Sequence, residues 1–307
     1  MVKKIIIVGD KGQDGIIMAS FLKNKGHSVI GLNKSNFNIS NPNEINKLII
    51  NELPHEIYFF AAKHNSSEVS SILKDNLSDY YNVNTDSCLY FLESIKKYSP
   101  QTKLFYASSI LIFDTKKEGL IKVNDKFLPT ENYSISKVAA MNKIKIYREN
   151  GIFCFSGILS NHESEFRKKS FLSKKIISCA VDNHLGGKRK IKVSNLSDVV
   201  DWGYAYDFIE LIYCLMQQKV PKDYIIATGN MNSIHSFLEI TFDYFDLDYR
   251  NFVLVDSIKN CRKHNKKMVF DTKPIKKIAP WFPKTGFKDM IHKLISSELK
   301  SRTLSDI

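Results

Sequence analysis

Tyr133 and Lys137 stand four residues apart in Tyr133-Ser134-Ile135-Ser136-Lys137, and the segment from Tyr133 to Arg148 carries Val138, Met141, Ile144 and Tyr147 near the helical period. One helical face therefore presents a phenol and an ammonium together. A phenol near pKa 10 is a poor base at neutral pH, and a cation one turn away favours its phenolate. The second chemical feature is the loop Val8-Gly9-Asp10-Lys11-Gly12-Gln13-Asp14-Gly15. The apolar run Ile5 to Val8 before it reads as a buried parallel strand, and Gln13 to Lys25 after it reads as a helix, which is the context such a loop requires. Gly9 permits the tight turn, Gly12 lets the backbone approach a pyrophosphate, and Gly15 allows close helix packing. The helix N-terminus then offers unpaired N–H groups to the phosphates. Taken singly, the glycines could form a structural turn and Tyr133 with Lys137 an exposed helical pair; together they indicate hydride chemistry.

Those residues need a scaffold. Strand-like runs recur at Ile5 to Val8, Ser28 to Leu32, Glu56 to Phe60, Lys103 to Ala107 and Phe153 to Ile158, separated by helical patterns. Such alternation predicts an α/β fold of right-handed βαβ units, a Rossmann-type doubly wound parallel sheet. A helix is predicted over Leu77 to Tyr98, with apolar residues at Val83, Leu89, Leu92 and Ile95, flanking the same face of the sheet as the Tyr133 helix. Beyond Leu159 the regularity breaks at Gly186-Gly187, Pro221, Pro274, Pro280 and Pro283. We expect a dinucleotide-binding domain over 1–160, to which 200–230 returns through Asp223 to Thr228, and a smaller, interleaved C-terminal substrate lobe over 161–307.

Composition narrows the class. At 307 residues the chain can bury a substantial core. Its apolar runs, such as Leu211 to Met216, are far too short to span a bilayer, and Lys3-Lys4 leads directly into a strand, so a cytoplasmic protein without a membrane partner is expected. Cys88, Cys154, Cys179, Cys214 and Cys261 lie far apart with no Cys-x-x-Cys pair, which suggests buried small hydrophobes and neither a disulfide framework nor a metal site. The net charge of +13 is spread over scattered lysines. The clusters Arg167-Lys168-Lys169 and Lys188-Arg189-Lys190 are short, so a solvated surface or an anionic small substrate is expected, and no nucleic acid. Chains that select NAD commonly place an acid at the end of the second strand. None occurs between Asp14 and Glu44, and Lys34 follows Gly31-Leu32-Asn33; the expected cofactor is NADP, with NAD possible.

As a set, the motifs resemble the extended short-chain dehydrogenase/reductase superfamily, and within it most closely the GDP-mannose 4,6-dehydratase family. The resemblance is carried by Gly9 to Gly15 with Gln13-Asp14, by Ala107-Ser108-Ser109, by Tyr133 and Lys137, by Gly157 to Ser164 with Asn161-His162-Glu163-Ser164, by Asp201-Trp202-Gly203, and by Gln217-Gln218 with Asp223 to Gly229. It continues faintly through Trp281-Phe282-Pro283 to Met290. The resemblance implies oxidation at C4 of a nucleotide-linked sugar, elimination of water across C5 and C6, and return of the hydride at C6. It makes Tyr133 the acceptor of the O4 proton, Lys137 its helper and Ser109 the group that holds the substrate hydroxyl. It also implies cofactor contacts at Gln13, Asp14, Lys34, Asn38, Ala61, Ala62, His162 and Arg167, and substrate contacts at Asn161, Glu163 and Lys175, with a GDP-linked substrate. A homodimer through the Leu77 to Tyr98 and Tyr133 to Arg148 helices is the implied assembly.

Four positions depart from the family pattern. Its catalytic Glu, two residues after the Ser/Thr, is Leu111 here, and carbon can neither take the C5 proton nor deliver one to the departing hydroxyl. The Tyr-Gly pair that follows is Phe113-Asp114, the Arg before Asp-Trp-Gly is Val200, and the Arg-rich loop after the second strand is shortened to Lys34-Ser35-Asn36-Phe37. The expectation is therefore hydride transfer with dehydration in doubt. The alternatives are a 4-dehydrogenase, 4-ketoreductase or epimerase without elimination, full activity restored by Glu163 or Asp114 as a substitute base, and a degenerate cofactor-binding partner subunit. Intact Ser109, Tyr133 and Lys137 argue against the last.

Overall fold

In the computed structural model, residues 1–64, 76–114, 117–255, 268–278 and 283–303 are described. The first half follows the predicted alternation: β1 (Lys4–Val8), α1 (Gln13–Asn24), β2 (Ser28–Leu32), α2 (Pro42–Glu52), β3 (Glu56–Phe59), then α3 (Leu77–Tyr81), a π-helical turn (Asn82–Asp86) and α4 (Ser87–Tyr98) in direct succession, and β4 (Lys103–Ser109). Next come β5 (Gly119–Ile121), α5 (Asn132–Glu149), β6 (Cys154–Leu159), β7 (Asn161–Glu163), α6 (Leu172–His184), β8 (Ile191–Val193), β9 (Val199–Tyr204), α7 (Ala205–Met216) and β10 (Tyr224–Ile226). The chain continues through β11 (Met231–Ser233), α8 (Ile234–Asp243), β12 (Val253–Val255), β13 (Met268–Phe270), α9 (Lys273–Ile278) and α10 (Phe287–Thr303). The faint family match at Trp281-Phe282, and Cys261, lie outside the described residues.

Six strands form one parallel sheet in the order β2-β1-β3-β4-β6-β10. Helices cover both faces, which is why its strands read as unbroken apolar runs. Along β1, Ile5 and Ile7 pack with α1 and α7, while Ile6 and Val8 pack with α2, α4 and α5. The Leu77 to Tyr98 and Tyr133 to Arg148 helices thus flank one face, as expected. The more common dinucleotide-binding order carries a further strand outside β2. Here Asn33 to Asn41 instead turns directly into α2, and β2 is the edge. In this doubly wound order ligands bind where the winding reverses, between the carboxyl ends of β1 and β3.

Within 200–230 the chain forms β9, α7 and β10. β9 pairs with β7 and β11 in a separate three-stranded sheet, while α7, β10 and Ile275 of α9 pack with the main body. A second apolar core, holding Ile176, Trp202, Phe237, Phe242, Ile291 and Ile295, joins α6, β9, α8 and α10. Val200, in place of the family Arg, packs against this core. Of the four described cysteines, Cys88, Cys154 and Cys179 are buried and Cys214 is half-buried, and all are free thiols. Among the described residues, no helix is long and apolar enough to cross a membrane.

Gly157, in the middle of β6, has no room for a side chain: a Cβ there would lie 2.7 Å from the Phe105 ring and 2.9 Å from the Ile226 side chain. Gly157→Ala should therefore cost about 1–3 kcal/mol by overpacking, read from the urea midpoint. An unchanged midpoint would mean that the sheet face yields freely.

Candidate active site

Reciprocal capping fixes the start of α5: Ser134 Oγ accepts from the Glu131 backbone N–H, and the Glu131 side chain accepts from the Ser134 backbone. Tyr133 is thereby held in the first turn, half-buried at the carboxyl edge of the sheet. One turn further, Lys137 is only 1% exposed. Its Nζ donates to the Ala107 carbonyl at 2.8 Å, and it lies 4.6 Å from the Tyr106 ring centre and 5.6 Å from that of Tyr133. Burial pulls the Lys137 pKa from 10.5 to about 7. Near neutrality this group exchanges a proton readily. Ser109 ends β4 two residues after Ala107, half-buried, with its Oγ accepting from the Leu111 amide at 3.3 Å. Leu111, on the 3₁₀ turn Ile110–Ile112, is half-buried beside it.

The π-helical turn supplies a residue that periodicity did not single out. Asn84 is fully buried, donates to Ser136 Oγ (2.9 Å) and to the Lys63 carbonyl (3.1 Å), and accepts from the Lys63 amide (2.8 Å). Its carbonyl accepts from Tyr106 Oη at 2.6 Å, and Ser136 Oγ in turn donates to the Tyr133 carbonyl at 2.7 Å. Asn84 therefore ties the loop after β3, strand β4 and the first turn of α5 together. The visible signal was the polar run Asn82-Val83-Asn84-Thr85-Asp86 inside an otherwise apolar helix.

A cavity of about 280 Å³ opens at the winding reversal, lined by Gly9, Gly12, Gly15, Ala62, Arg167 and Phe171 among others. Gly9 has φ +94°, and a Cβ there would meet the Ala61 amide nitrogen at 2.8 Å; a Cβ on Gly15 would overlap the Gly9 carbonyl. Gly12 caps α1 with no side chain to satisfy the first-turn amides. These features fit a dinucleotide pyrophosphate, which needs close backbone approach and open N–H donors. His64 closes the side of the cavity toward Tyr133, its ring edge-on at 4.5 Å, and stacks on Phe171, over which Arg167 lies at 3.7 Å.

His162 braces the loop. Its Nε2 lies 3.0 Å from Asp14 Oδ1 and its Nδ1 2.7 Å from the Ser160 carbonyl, while Gln13 Nε2 donates to the His162 carbonyl at 3.0 Å. Both ring nitrogens face acceptors, so the ring must carry both N–H groups to satisfy them. Burial opposes that charge, but the Asp14 carboxylate outweighs it and raises the His162 pKa; against the same opposition, His162 holds Asp14 below its usual range.

The remaining expected site residues do not line the cavity. Lys34 and Asn38 lie exposed on the turn after β2, and Asn38 Oδ1 accepts from the Ser40 amide. Ala61 is pinned by its amide to the Val8 carbonyl. Asn161 is half-buried in β7, opposite Trp202. Glu163 is 2% exposed, accepts from Ser173 Oγ at 2.6 Å and sits 3.1 Å from Arg167 Nε. Lys175 is half-buried on α6, its pKa lowered by burial and by Arg189. A wider groove of about 820 Å³ along α10, lined by Tyr204, His292 and Lys293, contains none of the expected site residues.

A doubly wound sheet with a glycine cradle at its switch point, and Ser109, Tyr133 and Lys137 at the ends of β4 and α5, defines an enzyme of the extended short-chain dehydrogenase/reductase class. The model of the GDP-mannose 4,6-dehydratase family matches residues 35–294, and the chain belongs to that family. It is similar to GDP-mannose 4,6 dehydratase 2 of Arabidopsis thaliana, at 28% identity over 97% of this chain and 87% of the relative. Its fold matches RMD from Pseudomonas aeruginosa complexed with NADPH, with TM-score 0.84 and 16% identity over 97% of this chain and 100% of that one. It also matches dTDP-glucose 4,6-dehydratase from Bacillus anthracis in complex with NAD, with TM-score 0.83 and 16% identity over 98% of each.

The contribution of His162 to stability is fully present below its unfolded-state pKa of 6.5 and is lost as pH rises through its raised folded value. That of Asp14 is present above 3.8 and is lost as pH falls through its depressed value. His162→Asn should therefore cost about 2 kcal/mol near pH 6, and the difference from wild type should shrink by about pH 9. Denaturation at both pH values checks this; a difference independent of pH would contradict the charged pair.

Proposed function

We propose that this enzyme transfers hydride at C4 of a GDP-linked hexose and carries out the elimination of water poorly or not at all. The observation that carries this reading is Leu111, an alkyl side chain two residues after Ser109, where the family has its general acid/base. Glu163 is a weak substitute because it is buried against Ser173 and Arg167.

Nicotinamide bound in the crevice would supply the hydride acceptor. The chain supplies the rest. Tyr133 takes the proton from O4, and Lys137 favours the phenolate by placing a cation beside the ring. With a pKa of about 7, Lys137 can also pass on the proton near neutrality. Ser109 Oγ, fixed on the end of a central strand, holds the reacting hydroxyl in register with the phenol. Elimination would further require a group that removes the C5 proton and one that protonates the departing hydroxyl. Leu111 provides neither.

Tyr133→Phe should abolish hydride transfer in single-turnover absorbance while leaving cofactor affinity within a few-fold; retained turnover would remove Tyr133 as the base. With GDP-mannose, the wild type should exchange hydride at C4 yet release little 4-keto-6-deoxy product. Leu111→Glu should raise that product by part of the roughly 10²–10⁴-fold that a positioned acid/base contributes, only part because an apolar setting keeps a new carboxyl protonated. Mass spectrometry of products decides. Efficient dehydration by the wild type would refute the reading.

A further inference from the structure

We propose that Asp10 selects the adenosine ribose of the cofactor, so that this enzyme prefers NAD(H) to NADP(H). The inference rests on the crevice being a dinucleotide site, and it reverses the preference expected from the end of β2 alone. In doubly wound sheets the group that reads the ribose 2′ position stands at the carboxyl end of the second strand, about 20 residues past the glycines. Here that end is Gly31-Leu32-Asn33, which has no acid.

A carboxylate nevertheless occupies the place, arriving from the neighbouring strand. The Gly9 and Asp10 amides both donate to the Leu32 carbonyl, at 2.7 and 3.3 Å, and so fasten the start of the glycine loop across the end of β2. From there the Asp10 side chain lies over Gly31, where any Cβ would overlap its Oδ2, and its Oδ1 accepts from Asn33 Nδ2 at 2.9 Å. Gly31 is thus the residue type that leaves room for the carboxylate, and Asn33 orients it. The half-buried carboxylate is an acceptor-only group one residue past Gly9, which lines the crevice. A ribose diol has two O–H donors to offer it. A 2′-phosphate brings only acceptors and negative charge, and like charges so placed are strongly disfavoured. Lys34, the nearest sequence candidate for a 2′-phosphate, is exposed on the turn and screened by solvent.

Calorimetric titration of the full chain with NADH and NADPH tests this, using the wild type, Asp10→Asn and Lys34→Ala. The wild type should bind NADH at least about tenfold more tightly, since a like-charge contact opposes NADPH. Asp10→Asn, which keeps an acceptor for Asn33, should bring the two affinities within about threefold, chiefly by tightening NADPH; Lys34→Ala should leave the ratio unchanged. Thermal shifts of the wild type by each cofactor give the same ranking without a variant. A wild-type preference for NADPH, or an Asp10→Asn protein that keeps the wild-type ratio, would overturn the assignment to Asp10 while leaving the crevice intact. Failure of both cofactors to bind would overturn the crevice reading and this inference with it.

Discussion

The desolvation of one ammonium organises the centre of this molecule. Lys137 is held out of water between the Tyr106 ring and the Ala107 carbonyl, and burial lowers its pKa to about 7. Burying a lysine is tolerated only where its donors find partners. Those partners come from the last residues of β4, so α5 must seat against that strand in one register. Ala140 and Ile144 do this through the apolar core, and Asn84 does it through hydrogen bonds to Lys63 and Ser136. Tyr133 and Ser109 occupy their positions because the same two elements carry them. A site built on a helix and a central strand holds its geometry better than one built on loops.

The glycine loop is braced in a comparable way from two sides. Backbone bonds to the Leu32 carbonyl fix its start on β2, and the pair formed by His162 and Asp14 fixes the first turn of α1 to β7. The crevice therefore spans the sheet and the segment that leads into α6, where Arg167 and Phe171 form its outer wall. Glu163, one residue past His162, supports that wall through Arg167 and Ser173. Asn161-His162-Glu163-Ser164 thus contributes mainly by position, joining the loop to the second core.

The parallel sheet was legible because each strand is a short apolar run bounded by turns, and the return of Tyr224 to Ile226 was legible from the same pattern. The tight turn at Gly9 and Gly15 and the shared helical face of Tyr133 and Lys137 were legible because these placements depend on local spacing. Asn84 was not: a π-helical turn shifts the register by one residue, and nothing in a 3.6-residue period announces it. Nor was the position of Asp10, since two segments 20 residues apart meet only once β1 and β2 pair. An argument from the absence of an acid on one strand could not see a carboxylate supplied by its neighbour. The contacts of Glu163 with Ser173 and Arg167, which occupy its carboxylate, likewise depend on the fold around α6.

The central claim is that burial beneath Tyr133 gives Lys137 a proton affinity suited to chemistry near neutral pH. Titration of the lysine side chains by NMR, with isotope at the carbon next to the amine and Lys137→Met as the assignment control, measures this directly. The account predicts one lysine resonance that titrates near pH 7 and is missing from the variant. A Lys137 resonance that titrates with the exposed lysines would contradict it.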